Sequence, residues 1–552
     1  MTAIAQEIPQ NATEPASPQR EDFDLIVIGA GLGALAAGAI AARRGKRVLV
    51  VEKHTVLGGY ASVFGRKGTT FDVSLHQIGG VHKTRVRGIL EDAGIHDKLE
   101  FVKDRALSEL QLEPGEALLR IPNGDMMGFR RTLMEMFPDE KPAIRRWFWF
   151  MRRYGRQIRY WDNIRNRNPL VQGVTIFFAP ILAPVVVASI MKMPRLSLAL
   201  RVRDPNLRKI LLHFSGYYGA PANEINMLFP MVSNYSYHAD GGCYLKGGGF
   251  AITRQLALVI RRAGGTILTG REVDEITTED NRVTGVRLRD DPVFYTAPEI
   301  VCGANPFTVY GKLLADHKLA RREKARIEKL EVGMTASVLY LKIGVKPEEL
   351  NRDLADVYEY MRPPEEPEAE YYRRFRDRQG FDETYDKDGI NLTVHSRLDP
   401  GGLGDGKGAT LDLFYCDNYD RWATLGDNAY QEQKKIETEK MLDELEKVLP
   451  GLRDHIEIVE LATPLTMERF TSNAKGAIYG FSQNVSQAAR HRFPIRSPIR
   501  GLAFVSAWSN PGGGYEGVLR VADAYSNPVG WKGRGVFLGL IAVSVIASQL
   551  LH

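Results

Sequence analysis

The 552-residue chain is poor in cysteine: Cys243, Cys302 and Cys416 are its only three, and their spacing suits neither a metal site nor a CxxC redox pair. A disulfide scaffold is thereby excluded, and buried, reduced thiols in a reducing compartment are expected. Net charge is nearly absent as well. Lys+Arg of 73 against Asp+Glu of 67 leaves +6, which argues against nucleic acid as the main partner. No nucleophile triad, paired-carboxylate signature or metal motif is present. Residues 1–20 lack the apolar core of a secretory signal and the arginine-rich amphipathicity of a transit peptide, and they read as a mobile tail. No internal repeat stands out.

What is present begins with ordinary globular composition, 44% hydrophobic and 25% charged. A chain this long exceeds one compact core, so two intertwined domains are expected. The apolar run from Phe23 to Ile28 suits a buried parallel strand. Gly29-Ala30-Gly31-Leu32-Gly33-Ala34 follows, then a small-residue helical stretch through Ala42 and a second strand ending at Glu52. Such a unit of about 30 residues is the size of a dinucleotide-binding βαβ, which points to an α/β protein with a Rossmann-type domain. Gly29 permits the tight turn, Gly31 lets the backbone approach a pyrophosphate, and Gly33 with Ala34 supplies the small positions where helix meets strand. The helix N-terminus offers N–H groups and partial positive charge to phosphates. Glu52 stands 21 residues past Gly31, where a carboxylate accepts ribose hydroxyls, with Lys53 beside it. A solvated strand end is the alternative reading of Glu52.

After Glu52 come Gly58-Gly59-Tyr60-Ala61-Ser62, then Phe64 to Gly68 and Phe71-Asp72. A GG pair soon after the ribose acid, followed by a hairpin ending in FD, resembles the flavin-dependent amine oxidase and phytoene desaturase superfamily. The resemblance implies non-covalent FAD, with the GG loop around its diphosphate. An arginine that often follows the pair is Tyr60 here, and Arg66 is the candidate to cover that charge. Later segments resemble the rest of the same domain. Lys246 to Gly249 opens a helix, and the backbone at Val273 is implied to contact the adenine. Ile300 to Asn305 resembles a closing strand. Pro511 to Val518 resembles a PG-rich turn running into a helix, which implies flavin contacts at Gly513, Gly517 and Val518. The Asp that many relatives place before this turn is absent, and Asn510 or Ser509 is the candidate polar contact in its place. The expected FAD-binding domain is therefore 21–110, 235–310 and 460–530, and 111–234 with 311–459 form an inserted α+β substrate domain. No second strand–GxGxxG–helix unit appears, so electrons are expected to pass through one flavin. The acceptor would be a membrane quinone or oxygen for a desaturase.

Residues 144–168 interleave arginines, Arg145 to Arg167, with Trp147, Phe148, Trp149, Phe150, Tyr154, Tyr160 and Trp161. Gly173 to Met191 is then almost wholly apolar, interrupted by Pro180 and Pro184. A membrane-docking element at about 144–193 fits this pattern, with arginines at headgroups and aromatics at the interface. A buried core segment is the alternative, and the prolines weigh against a span. The C-terminal segment 531–552 carries an apolar run from Gly535 to Leu551, which suits either a helix packed on the flavin domain or a second membrane contact. The expectation is a peripheral or monotopic protein on the cytoplasmic side of a membrane, with a lipophilic small-molecule substrate.

Ser74-Leu75-His76-Gln77-Ile78-Gly79-Gly80 resembles the retinol saturase and carotenoid isomerase branch. That implies desaturation, saturation or cis–trans isomerisation of carbon–carbon double bonds in a carotenoid, retinoid or similar lipid. His76 is the ionisable residue placed nearest the flavin, and a hydrogen-bonded structural histidine is its alternative. His213, His238 and His395 carry no assigned role. Oxidation of unsaturated fatty acyl chains or amines is a rival chemistry. A non-catalytic lipid escort on the same fold is a rival of another class, opposed by the intact glycine fingerprint and Glu52.

Overall fold

The computed structural model describes residues 20–111, 118–162, 168–192, 195–214, 221–346, 357–360, 390–399 and 407–528, with isolated positions between 349 and 403. The C-terminal segment 531–552 and the N-terminal tail up to residue 19 lie outside the described residues. Arg20, assigned to the tail from composition, belongs to a short strand, Arg20–Asp22, paired in parallel with Phe294–Thr296.

A five-stranded parallel sheet forms the base of the molecule. Its order is Thr266–Thr269, Val48–Glu52, Leu25–Ile28, Ile300–Cys302, Leu502–Phe504. The inner strands read LIVI, VLVVE and IVC, and their near-continuous apolar character is what a sheet covered on both faces requires. One face is covered by the fingerprint helix Leu32–Arg43, whose sequence LGALAAGAIAAR is buried from Leu32 through Ala42. Its alanines and glycines let it fit between the helices Gly249–Arg262 and Gly514–Ser526. The other face packs against Val273, Ile276, Val283 and Val286 of an antiparallel sheet.

A second, seven-stranded sheet runs in the order Ile456–Ala462, Thr335–Ile343, Ala409–Asp417, Ile390–Val394, Val357–Tyr360, Ala106–Gln111, Leu119–Pro122. Alternation assigns its two faces. Leu339, Leu341, Leu411 and Leu413 pack on the helix Asp427–Val448, while Val338 and Tyr340 turn the other way, onto Phe71 of the hairpin.

A helical layer completes the fold around the 22-residue helix Lys141–Asp162. Ile144, Trp147, Phe148, Met151 and Tyr154 are buried along one stripe, and Arg145, Trp149, Arg153 and Arg156 are exposed along the opposite one. Asn168 caps the next helix, Pro169–Phe177, by accepting from Val171 N, and two further helices, Ala179–Leu182 and Pro184–Lys192, follow. Among the described residues no helix is long and apolar enough to cross a membrane.

Candidate functional site

A single cavity of about 2470 Å³ extends from the C-terminal edge of the parallel sheet to the helical layer. That exceeds the roughly 300–1,000 Å³ of a typical small-molecule pocket and leaves room for a dinucleotide and a second, long ligand.

The fingerprint lies at one end. Gly29 (φ +82°) makes the turn after the first strand, and an ideal Cβ there would sit 3.3 Å from Ala304 N. Gly31 is the N-cap of the fingerprint helix, makes no side-chain cap, and a Cβ on it would meet nothing within 4 Å. Free helix N–H groups therefore face open space, the cradle a diphosphate needs. Glu52 Oε2 accepts from Ala30 N and Oε1 from His54 N, both at 2.7 Å, which fixes the carboxylate at the cavity wall beside Lys53. Gly58 (φ +114°) folds the GG loop against the fingerprint, its N–H donating to Ala30 O at 2.9 Å. Gly59, Ala61, Ser62 and Val273 line the same end. Gly33 also touches the cavity, but its α-carbon is packed against Val505 and Val518, where a Cβ would meet both carbonyls at 3.1 Å. Ala34 does not line the cavity. It is fully buried, and its Cβ would lie 2.9 Å from one built on Gly303, so its small size serves helix–strand packing.

Tyr60 turns its hydroxyl to Gly476 O at 3.1 Å and so staples the GG loop to the segment before Ile478. Arg66, the candidate for the missing arginine, lines the cavity with its Nε paired to Glu460 at 3.1 Å, half-exposed. The closing turn completes the wall. Gly513 caps the helix Gly514–Ser526, and a Cβ on it would lie 2.7 Å from Tyr479 Cα; one on Gly517 would lie 2.6 Å from Gly512 O. Asn510 and Val518 face the cavity. Ser506 Oγ and Gln483 Nε2 are buried at the wall with no partner among the described residues. Open glycines, uncapped helix ends and orphaned polar atoms together fit a flavin dinucleotide.

A second group of residues stands over the cavity from the seven-stranded sheet. His76 follows the FD hairpin, and its Nε2 is 3.8 Å from Asp412 Oδ2. His395 Nε2 lies 2.9 Å from the same oxygen. Asp412 is opposite Tyr340 in register, and Tyr340, which lines the cavity, donates to Val73 O at 2.7 Å. Asp72 is buried beside them and accepts from Ser74 N, Leu75 N and Gly249 N at 2.6–2.8 Å, tying the hairpin to the helix Gly249–Arg262. Burial works against the Asp412 charge, but His395 and His76 outweigh it and hold the carboxyl below its ordinary range. Burial lowers His76, and Asp412 opposes that shift. Burial raises Asp72, with His395 and the three amides resisting. The cluster thus places an imidazole that can exchange a proton at the cavity wall, beside a buried carboxylate. Asp412 and His395 had no sequence signal of function; a polar residue inside the apolar run TLDLF was the one hint. Tyr479 and Tyr515, both half-buried at the cavity, were likewise unmarked.

Residues 35–523 match the family described as flavin containing amine oxidoreductase. The chain belongs to that family. It is a flavin-dependent oxidoreductase. It is 26% identical over 514 residues to prolycopene isomerase 2 of an Oncidium hybrid cultivar, covering 91% of this chain and 82% of that one. It is 24% identical over 524 residues to the all-trans-retinol 13,14-reductase of Danio rerio, covering 87% and 82%. Among solved structures, an oxidoreductase from Methanosarcina mazei superposes with a TM-score of 0.58 at 16% identity, covering 91% of this chain and 99% of the other. A putrescine oxidase variant gives 0.60 at 14%, covering 92% and 99%. The structural likenesses establish the fold.

Proposed function

We propose that the chain binds FAD non-covalently on residues 21–110, 235–310 and 460–530 and uses it to act on carbon–carbon double bonds of a carotenoid, retinoid or similar lipid. The inserted segments 111–234 and 311–459 hold the substrate, and residues 144–193 dock on the cytoplasmic face of a membrane. When bound, FAD supplies hydride transfer at its N5. The protein's own groups orient the chain, exclude water and, at His76, exchange the second proton. Quinone or oxygen accepts the electrons in the oxidative direction.

One observation carries the substrate reading: the helical layer both lines the cavity and exposes large apolar side chains. Ile158, Val186, Ile190, Leu228, Phe229 and Val232 face the cavity from that layer. Its outer side exposes Leu170 (62%), Phe178, Ile181 (72%), Leu182 and Met191 (61%), beside the arginine stripe of the long helix. Exposed apolar side chains and exposed arginines on the layer that lines the cavity suit a ligand drawn from lipid. Phe178→Glu with Ile181→Glu is expected to cut flotation on phosphatidylserine-containing vesicles by about tenfold or more, with the melting temperature unchanged because both side chains lie outside the core. Equal flotation would remove the docking surface.

Purified protein is expected to be yellow with a flavin band, and extracts of expressing cells are expected to show a lipid shifted by two hydrogens or a changed cis–trans ratio. Colourless protein that refuses added FAD would sink the proposal. Tyr479 and Tyr515 at the cavity favour a second reading, amine oxidation, which hydrogen peroxide release on aliphatic amines would reveal.

A further inference from the structure

Behind the glycine turn, Arg492 is 3% exposed and uses every donor it has. Nε donates to Ser509 O at 3.3 Å, Nη1 to Phe481 O and Ser482 O at 2.9 and 3.4 Å, and Nη2 to Tyr479 O and Ala507 O at 2.9 and 2.8 Å. All five acceptors are neutral carbonyls. Among the described residues no carboxylate pairs with it, and burial alone pulls its pKa down.

The other deeply placed arginines are treated differently. Arg421 meets Asp417 and Glu437, Arg520 meets Asp162 and Glu516, and Arg85 meets Asp523 and Asp92. A buried charge without a counter-charge is costly to keep, so its hydrogen bonds are complete while its electrostatics are not. Two of its carbonyl partners, Tyr479 and Ala507, belong to residues that line the cavity. A Cβ built on Gly512 would lie 3.4 Å from Arg492 Cζ and 2.2 Å from Gln483 Nε2, so the guanidinium packs against the backbone of the turn whose flanking residues, Pro511 and Gly513, line the cavity. Gly513, the next residue, begins the helix Gly514–Ser526 with no side-chain cap, and that helix adds its own positive end at the same wall.

We infer that Arg492 is a fixed cation that stabilises the negative charge gained by the flavin on reduction. This rests on the proposed placement of FAD against Asn510, Gly513, Gly517 and Val518. Hydride transfer breaks a substrate C–H bond, moves its electron pair and proton together to the flavin, and leaves one unit of negative charge on the reduced ring. A second proton departs from the substrate separately. A cation behind the turn favours that charge, and five carbonyl bonds hold the cation still at no cost in reorganisation. Arg492 is thus a positioning residue for the turn and an electrostatic one for the cofactor.

The test is the midpoint potential of the FAD-loaded full chain, read by equilibration with a reference dye. Arg492→Gln is expected to shift the oxidised-to-reduced equilibrium at least tenfold toward oxidised, about 30 mV lower for a two-electron couple. Arg492→Lys, which keeps the charge, is expected to stay within threefold of the parent. Gln483→Glu leaves all five arginine bonds in place and sets a carboxylate beside the turn; it too is expected to lower the potential tenfold or more, and it decides the matter if Arg492→Gln does not fold. Loaded variants that keep the parent potential would overturn the inference and leave Arg492 a loop staple. Failure of the unmodified chain to take up FAD would instead overturn the functional proposal beneath it.

Discussion

A Gly31→Val chain is expected to fold normally and to emerge without flavin. The position is extended, with φ −64° and ψ 154°, a conformation any residue adopts, so valine brings no backbone strain. Its Cβ would meet no protein atom within 4 Å, so nothing in the fold has to move. What it fills is the space above the N-terminus of the fingerprint helix, which the diphosphate needs. The poorer N-cap costs about 1 kcal/mol of stability. Exclusion of a phosphate from the helix end is expected to weaken FAD binding by a hundredfold or more, about 3 kcal/mol. Gly58→Val is the contrasting variant. There φ is +114° and the Cβ would fall 2.1 Å from Ala61 O, so loss of flavin would come with loss of fold. Far-UV circular dichroism and a thermal melt, run beside an FAD titration, separate the two. A Gly31→Val protein carrying stoichiometric flavin would show that the cradle is not where the cofactor lies.

The fingerprint was legible because its parts are local. A strand, a glycine turn, a helix and Glu52 fall within one continuous stretch, and residue type alone fixes what each backbone position permits. The histidine–aspartate cluster is the opposite case. His76 lies after a hairpin, His395 at the end of Ile390–Val394 and Asp412 in the middle of Ala409–Asp417, and only the pairing of that last strand with its two neighbours brings them together. No spacing encodes such a meeting. Arg492 was invisible for another reason: its partners are backbone carbonyls, which every sequence contains. The basic-aromatic block shows an intermediate degree of legibility. Its composition was plain, but only helical periodicity sorts it, sending Trp147, Phe148 and Tyr154 into the core and Trp149, Arg153 and Arg156 to the surface. Arg66 lines the cavity, but its pairing with Glu460, which a separate strand delivers to it, was not legible from its proximity to the GG pair.

Asp412→Asn is expected to lower turnover by on the order of a hundredfold while FAD stays bound, because the amide keeps the shape but not the charge. The groups facing His76 are Asp412, His395 and Asp72, with the neutral rings of Phe414 and Tyr340 beside them. Burial disfavours the imidazolium of His76 and lowers its pKa, His395 pushes the same way, and Asp412 and Asp72 oppose them. Removing the Asp412 carboxylate deletes the largest opposing influence, so the His76 pKa falls further. The sign holds for either direction of the reaction. If His76 gives the proton, the protonated fraction at neutral pH shrinks and the alkaline limb of the rate profile moves to lower pH. If it takes the proton, the acidic limb moves to lower pH and the weaker base slows the plateau. His76→Gln removes that limb, and His395→Gln, which spares His76 but frees Asp412 of its hydrogen-bonded partner, is expected to move it upward. A rate profile with the same limbs in Asp412→Asn as in the parent would show that the proton travels by another route and that the cluster serves the fold.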